Sequence, residues 1–346
     1  MKLVNSILLL LLLVNMLQSI ELRKVGEYAL ENNVDIYCYN NNLVTFNQNP
    51  MKIVFYVGKK VARTIPFNEG DGPSDFRIIN NIIFNNGNII CWDRMSGHIK
   101  RFSNNMKLLN CEKMPLKYSR FALLLNSDSG KHIFLSSNMN RKKTKVNVIQ
   151  KLSIFDINKK KSNIIKKVNG IYIKNGSLDY NNPILLAATS QDGIYYTNSF
   201  DGDLYYYDRK IGKSELIDKW KNKSIQWNNK YYELRYKIMN KTSDKIKVIM
   251  PEKLPNIFAM VSSKNILCVI TNEKIDQNLT VLRIYKNKIY QGKVSIPLTT
   301  NQHFVFNDPI FRFNPGIAVG NNYIFALELD KNNEGDSKIV KWKIIF

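Results

Sequence analysis

The stretch DGIYYTNSFDGDLYYYDRKIGKSEL, residues 192–216, predicts the fold most directly. Ile194 to Thr197 and Leu204 to Tyr207 are runs of β-branched and aromatic residues, which is the composition of strands. The Asp-Gly pair at 201–202 supplies the residues of a tight hairpin turn between them. Another turn is expected at 208–212. The stretch therefore predicts two or three antiparallel strands joined by short turns.

The same pattern occurs a second time upstream. Residues 87–97, GNIICWDRMSG, match residues 202–212, GDLYYYDRKIG, in both glycines and in the aromatic-Asp-Arg run. The offset of 115 residues predicts two repeat units of about 57 residues each. The matched positions are structural, with the two aspartates capping turns: Gly87 and Gly202, Trp92 and Tyr207, Asp93 and Asp208.

The rest of the chain has the same pattern of short strands and turns. Short β-branched and aromatic runs alternate with Asn, Asp and Gly turns, and no window has a 3.6-residue apolar period of more than two turns. This predicts an all-β chain whose many hairpins hide their edges in a β-propeller of six four-stranded blades. Five or seven blades are the alternatives. The strand at 339–346 is expected to pair with the start of the domain and close the ring.

The first 19 residues predict a signal peptide. Lys2 precedes an unbroken apolar run from Ile7 to Val14, and Ser19 is a small residue suited to cleavage. The alternative is an uncleaved anchor, although the apolar run is well short of the roughly 20 residues needed to span a membrane. Residues 20–346 are expected to form one propeller domain that is secreted or periplasmic and monomeric.

The chain is strongly basic, with a formal charge of +23. Such a charge favours anionic partners through its field alone. However, the lysines are spread along the whole sequence together with asparagine and isoleucine, which favours a general compositional bias. The basic runs at 141–143, 159–161 and 166–167 are interpreted as solvated segments, and nucleic acid is not expected as a partner of an exported chain.

The cysteines and histidines do not have the spacing of a catalytic or zinc site. Cys38, Cys91, Cys111 and Cys268 could form two disulfides, yet two of them lie within predicted strands and are interpreted as buried apolar residues. The three histidines are far apart in sequence, and the first two are predicted at strand or turn surfaces: His98, His132 and His303. No catalytic residue is predicted.

Carboxylates are the remaining candidates. Those near the opening stretch lie beside glycine or asparagine and are interpreted as turn residues, with a calcium role as the alternative: Asp179, Asp192, Asp201 and Asp203, with Asn198. Residues 330–336 imitate half of an EF-hand loop, but Lys341 stands at the twelfth position, so a hairpin loop is predicted.

The loop GDGPSDF, residues 70–76, carries a resemblance. It contains Gly70, Gly72, Pro73 and Phe76 and is followed by an aliphatic run, Gly87 and the Trp92-Asp93 pair. This order resembles the inter-blade signature of bacterial secreted six-bladed propellers, the NHL-repeat-like and TolB-like proteins. Ser74 and Asp75 stand where that family has glycine and glutamate, and the proline usual after the phenylalanine is absent. The resemblance implies the propeller fold, which hosts binding proteins and enzymes alike.

These observations predict a non-catalytic binding or scaffold module for a protein, peptide or glycan. The alternative from another class is a calcium-dependent, lactonase-like or esterase-like hydrolase with Asp and Asn side chains at the channel mouth. A third is a membrane-anchored sensor ectodomain. The first two differ in whether carboxylates from different blades meet at the propeller axis.

Overall fold

The computed structural model describes residues 20–30, 34–85, 87–93, 95–114, 122–128, 130–142, 145–174, 177–179, 183–219, 247–249, 256–271, 273, 280–297, 316–329 and 337–346. These residues form 26 β-strands and no helix, so the all-β prediction is confirmed. Within these ranges no helix could cross a membrane. The signal-peptide prediction, His303 and the 330–336 loop lie outside the described residues.

The strands form six antiparallel blades, as predicted. Five blades use consecutive strands, from the innermost to the outermost, and the third carries two short additions. The first blade consists of β2 (Val34–Tyr39), β3 (Asn42–Gln48), β4 (Met51–Val57) and β5 (Lys60–Pro66), and the second of β6 (Ile79–Asn85), β7 (Asn88–Asp93), β8 (His98–Ser103) and β9 (Leu108–Lys113). The third consists of β10 (Ala122–Asp128), β11 (Lys131–Lys142), β12 (Lys145–Asp156) and β13 (Lys161–Lys174), with the additions β14 (Ser177–Asp179) and β19 (Lys247–Ile249). The fourth consists of β15 (Leu185–Thr189), β16 (Gly193–Asn198), β17 (Asp203–Asp208) and β18 (Lys213–Lys219), and the fifth of β20 (Ile257–Ser262), β21 (Ile266–Thr271), β22 (Thr280–Lys286) and β23 (Ile289–Ile296).

The sixth blade joins the two ends of the domain. Its strands are β24 (Ile317–Val319), β25 (Tyr323–Leu329), β26 (Ser337–Ile345) and, outermost, β1 (Glu21–Leu30). β1 and β26 pair antiparallel from Glu21 opposite Ile345 to Leu30 opposite Ser337. The predicted closure of the ring by the C-terminal strand is therefore confirmed.

The third blade is larger than the others. Its strands β11, β12 and β13 are 12 to 14 residues long. β14 adds to β13 in antiparallel orientation, and β19 adds to β14 in parallel orientation. The sequence predicts a hairpin from 231 to 250, of which only β19 is described.

Hydrophobic clusters fill every seam between neighbouring blades. Each cluster combines residues of two adjacent sheets; Phe76, Phe46 and Ile89, for example, pack between the first and second blades. The second strands are the most deeply buried, with β21 buried at all six positions. The outer strands β5 and β18 are mostly exposed. Burying each large apolar side chain contributes about 1.5–3 kcal/mol, so the seams hold the ring together.

The internal repeat does not match equivalent strands. Residues 88–93 form β7, the second strand of its blade, whereas residues 203–208 form β17, the third strand of its blade. The structural counterpart of β7 in the fourth blade is β16, which begins at Gly193. The predicted blade number is correct, but the 115-residue offset is not twice a blade length. The repeat reflects the same strand-and-turn structure at two different positions within a blade.

Candidate functional site

A cavity of about 970 Å³ runs along the propeller axis and is lined by the innermost strands of all six blades. These innermost strands all run in the same direction along the propeller axis, because each blade meanders outward from its own first strand. Their ends therefore meet at one opening. We call this opening the upper mouth; it comprises residues 40–41, 85, 87, 126, 128, 190–192, 209, 263–264 and 320–321.

Polar side chains concentrate at the upper mouth. Uncharged amides line it from five of the six blades: Asn40, Asn41, Asn85, Asn126, Gln191 and Asn321. Deeper in the cavity the lining is largely aliphatic and includes Ile83, Leu123 and Ala187. A mainly apolar cavity with a few polar groups at defined places is the usual form of a ligand site.

Hydrogen bonds between blades fix the upper mouth. Neighbouring inner strands are not paired as sheets, so side chains and turn amides connect them instead. The bonds run from Asn85 Nδ2 to the Ser127 carbonyl (3.1 Å), from Thr189 Oγ1 to the Leu125 carbonyl (3.2 Å), from Ser262 Oγ to the Thr189 carbonyl (2.6 Å), from the Gln191 amide to the Lys264 carbonyl (3.3 Å) and from the Asn321 amide to Asn41 Oδ1 (2.8 Å). The mouth is thus a preorganised polar rim.

An aromatic wall lies on one side of the cavity. Tyr37 and Tyr39 of β2 pack against Phe84 of β6, with ring centroids 6.1 and 5.1 Å apart respectively. Phe55 packs behind Tyr39 and Phe84. All three front rings line the cavity and are half-buried. Burial raises the pKa of Tyr37, so this hydroxyl stays protonated. The rings pack on one another and against the seam between the first two blades, so the wall adds an apolar aromatic surface to the cavity lining.

Four charged side chains line the described part of the cavity. Asp128, Asp192, Arg209 and Lys264 all lie at the upper mouth. Asp192 forms an exposed ion pair with Lys210 at 3.1 Å. Arg209 donates from its guanidinium to the Gln191 carbonyl, while its buried Nε has no partner among the described residues.

The predicted inter-blade loop lies at the opposite end of the ring. Residues 70–76 connect the outermost strand β5 to the start of β6, where an inner strand begins. Phe76 is fully buried in the seam between the first two blades, and its amide donates to the Asn68 carbonyl at 3.0 Å. Buried Lys100 donates to the carbonyls of Gly72 and Asp75 and lies 4.7 Å from the Phe76 ring centroid. Exposed Pro73 lies in the same loop.

The two repeat aspartates cap turns at opposite ends of the ring. Asp93 Oδ1 accepts from the amides of Met95 and Ser96 after β7. Asp208 Oδ1 accepts from the amides of Lys210 and Ile211 after β17, and these bonds lower the Asp208 pKa. Neither carboxylate lines the cavity.

The matched glycines lie beside strands β7 and β17, and the matched aromatics lie in seams between blades. Gly87 has a positive φ of 76° in the turn before β7, while Gly202 precedes β17. Trp92 is fully buried and its Nε1 donates to the Ala122 carbonyl of the third blade at 3.2 Å. Tyr207 packs in the seam between the third and fourth blades.

Among the other predicted carboxylates whose side chains are described, the structure brings only Asp192 to the cavity. Asp201 is exposed, and Asp203 pairs with Lys219 at 3.7 Å. Asn198 Oδ1 accepts from the Phe200 amide at 2.9 Å, as a turn residue does. Asp179 is described only as part of β14. Within the described ranges no three His, Cys, Asp or Glu residues cluster as metal ligands would.

The predicted surface position of His132 is wrong. Its side chain is fully buried, with Nδ1 2.9 Å from Ser127 Oγ and Nε2 2.7 Å from Glu112 Oε2. Burial lowers the His132 pKa more than Glu112 raises it, because the charged imidazolium is poorly solvated there. The surface position was predicted because His132 lies at the polar end of a strand, and nothing in the sequence there indicates its contact with Glu112, 20 residues away. His98 is partly exposed.

The four cysteines are free in the structure. Cys91 and Cys268 are fully buried, and burial raises the pKa of the Cys268 thiol to about 12. Cys38 lines the cavity at the seam between the sixth and first blades, and burial raises its pKa to about 12 as well. These thiols are poor nucleophiles.

Sequence reasoning missed the rim itself. The amides at the ends of inner strands read as ordinary turn residues, because asparagine is abundant throughout the chain. The available signal was positional: a polar residue recurs within two positions of the end of each first strand of a blade. This signal becomes visible only when the inner strands have been identified.

Comparisons with solved structures support the fold. Two proteins share the architecture over 94% of this chain: a member of the DUF4221 family from Bacteroides vulgatus, with a TM-score of 0.54, 11% identity and 98% of that chain covered, and a Bacteroides fragilis protein described as exported, with a TM-score of 0.51, 13% identity and 96% covered. Virginiamycin B lyase from Staphylococcus aureus also aligns over 94% of this chain and 100% of its own, with a TM-score of 0.44 and 10% identity. No family model and no curated protein matches the chain, so the NHL-like or TolB-like assignment stays a prediction.

Proposed function

We propose that this chain is a non-catalytic binding module whose ligand enters the axial cavity through the upper mouth. The observation that carries the proposal is the combination, in one cavity, of a hydrogen-bonded amide rim and an aromatic wall. The cavity volume of about 970 Å³ is suited to a small ligand or to the tip of a larger one.

A channel-blocking substitution tests this function. Ala187 is half-buried, lies on the innermost strand of the fourth blade and lines the cavity. Ala187→Trp should fill part of the channel. Ala29→Trp is the matched control, because Ala29 is exposed on the outermost strand of the sixth blade. A thermal-shift screen with peptides, proteins and glycans should identify ligands that stabilise the wild type and the Ala29→Trp variant but not the Ala187→Trp variant. Stabilisation that persists in both variants would contradict the proposal.

A calcium-dependent hydrolase is the second candidate. It is favoured by Asp128 and Asp192, which come from the third and fourth blades to the same mouth as the asparagines. Calorimetric titration with calcium distinguishes the two functions. The binding module predicts no one-site calcium uptake at millimolar calcium. Uptake that disappears in both Asp128→Asn and Asp192→Asn, together with ester hydrolysis, would replace our proposal with the hydrolase.

We also propose that the chain is exported. The apolar run of residues 7–14 supports this, and a solved structure of the same fold belongs to a protein described as exported. N-terminal sequencing of the mature protein from its native host should begin near residue 20. An intact N-terminus in the membrane fraction would favour the anchored sensor instead.

A further inference from the structure

The charge of the cavity differs from that of the molecule. The whole chain carries a formal charge of +23, and 23% of its residues are charged. Of the 41 lining residues that the structure describes, four are charged, namely Asp128, Asp192, Arg209 and Lys264, and their charges cancel. A site for an anionic ligand would concentrate the lysines that are plentiful elsewhere. The cavity is therefore matched to an uncharged ligand.

The rim amides retain unused hydrogen-bonding atoms. Asn41 and Asn126 each use Oδ1 as an acceptor, for the amides of Asn321 and Ser127 respectively, and Asn85 uses Nδ2 as a donor. Among the described residues, the other amide atom of each asparagine has no partner. Two donors and one acceptor are thus held in fixed orientations by the bonds that the same side chains make to the fold. Ligand hydroxyl groups can both donate to and accept from such atoms.

The aromatic wall is next to these amides. Tyr39 and Phe84 lie on the same two inner strands that lead to Asn41 and Asn85. A ligand bonded to the first and second blades therefore has one face against an aromatic surface. The apolar C–H face of a pyranose ring covers such a surface while its hydroxyl groups point sideways to polar partners.

We infer that the ligand of the channel is an uncharged oligosaccharide. This inference rests on the proposed binding function and narrows it to one ligand class. The amides bind sugar hydroxyl groups, and the wall formed by Tyr37, Tyr39 and Phe84 stacks on a sugar ring. The cavity volume accommodates a short oligosaccharide or the end of a longer chain.

The test uses the purified chain and a defined panel of probes. Maltotetraose, cellotetraose, mannotetraose and chitotetraose represent neutral glycans, and a heparin tetrasaccharide and an unstructured neutral peptide serve as the charged-glycan and peptide comparisons. Saturation-transfer NMR detects binding and calorimetry gives Kd. At least one neutral tetrasaccharide should bind one to one, with a Kd that is unchanged between low and high salt because no net charge is neutralised.

Variants of the aromatic wall locate the site. Tyr39→Ala should weaken that binding about tenfold, since ring stacking is lost, and Tyr39→Phe should restore most of it. Tyr290→Ala is the matched control, because Tyr290 is a partly exposed tyrosine on the outer strand β23. It should leave Kd unchanged.

Three outcomes would overturn the inference. One is that no neutral tetrasaccharide binds. Another is that a neutral sugar binds equally well to wild type, Tyr39→Ala and Ala187→Trp, which would place it outside the channel. In the third, only the peptide or the heparin fragment binds and Ala187→Trp abolishes its binding; the proposed binding function would then stand with a different ligand class. Failure of the proposed function itself is recognised separately, by ligands whose stabilisation survives Ala187→Trp.

Discussion

The turn after Asp93 and the turn after Asp208 have nearly the same local structure at different places in a blade. In each, the aspartate carbonyl accepts from the glycine four residues on, at 2.9 Å from Gly97 and 2.8 Å from Gly212. The two glycines have φ angles of 72° and 74°. Their surroundings differ, however. Asp93 is fully buried and also accepts from the Arg77 amide, just after the inter-blade loop, at 3.2 Å, whereas Asp208 is half-buried.

The difference shows that local sequence determines the turn but not its position in the ring. The Asp93 turn joins the second and third strands, so it lies at the end of the ring where inner strands begin. The Asp208 turn joins the third and fourth strands and lies at the upper mouth end. The matched aromatics also point to opposite neighbours: Trp92 packs toward the following blade and Tyr207 toward the preceding one.

Removing the two carboxylates should produce the largest contrast. Asp93→Ala leaves three backbone amides without their charged acceptor in a buried site and should lower the free energy of unfolding by about 4 kcal/mol. Asp208→Ala should lower it far less, because water can replace a carboxylate that is only half-buried. Urea denaturation of both variants measures the two values. Equal losses would mean that the tertiary contact to Arg77 contributes nothing.

Gly193 and Gly87, at the starts of the equivalent second strands, should show the next largest difference in the stability lost on substitution. A Cβ on Gly193 would lie 2.2 Å from Tyr206 Cζ and 2.5 Å from the Tyr207 carbonyl oxygen. Gly193→Ala should therefore cost about 3 kcal/mol through overpacking. Gly87 has a positive φ but open surroundings, with Asn104 Nδ2 3.6 Å from such a Cβ. Gly87→Ala should cost about 1 kcal/mol. A reversed order in thermal melts would refute this assignment of steric and conformational costs.

The turn glycines should be equivalent. Gly97→Ala and Gly212→Ala each force an alanine into the left-handed region and should each cost about 1 kcal/mol. Because the φ angles are almost the same, the two losses should agree within experimental error. A clear difference would show that the tertiary environment also acts on the glycine, and not only on the aspartate.

The outer seams beside the second and fourth blades should differ in how their contribution to stability depends on pH. Glu112 of the second blade contacts buried His132 of the third, whereas Asp218 of the fourth blade accepts from Tyr285 of the fifth at 2.7 Å. Because the folded pKa of His132 is below its ordinary value of 6.5, the unfolded chain binds the proton first. Stability from neutral His132 is thus present above about pH 6.5 and is lost as pH falls through the folded pKa.

The check is denaturation at several pH values between neutral and mildly acidic. Replacing His132 with Gln should flatten the decrease seen in the wild type, and His98→Gln should flatten it less, although burial lowers the His98 pKa too. We expect this to be the smallest effect of the series. An unchanged slope in His132→Gln would show that this seam does not titrate.

The sequence predicted the inner part of each blade better than the outer part. Central strands such as β7 and β21 are apolar on both faces because they are covered by two neighbouring blades, and their composition identifies them. The outer strand β9 is largely exposed and carries charges, so it resembles a loop and was missed as a strand. β1 was missed for the same reason. The pairing of β14 with β19 depends on contacts between distant residues, which a single sequence does not reveal.

The candidate site could be predicted only in outline. A cavity at the axis follows from the predicted propeller, yet the residues that line it depend on which strand of each blade comes first. The 115-residue repeat misaligned β7 with β17 and so could not supply that register. Asp192 was identified as a candidate, but its position beside the rim asparagines comes from the ring geometry.

The pairing of β1 with β26 also has a consequence for folding. β1 precedes the first blade in the sequence and β26 follows the fifth, so this pair has the largest sequence separation of all strand pairs among the described residues. The other blades can form by local hairpin contacts, whereas the closing contact costs the most loop-closure entropy, and we expect it to form late. Until it forms, the six inner strands do not enclose a channel. A variant that lacks β1 should therefore keep most of its hairpins while lacking a closed site.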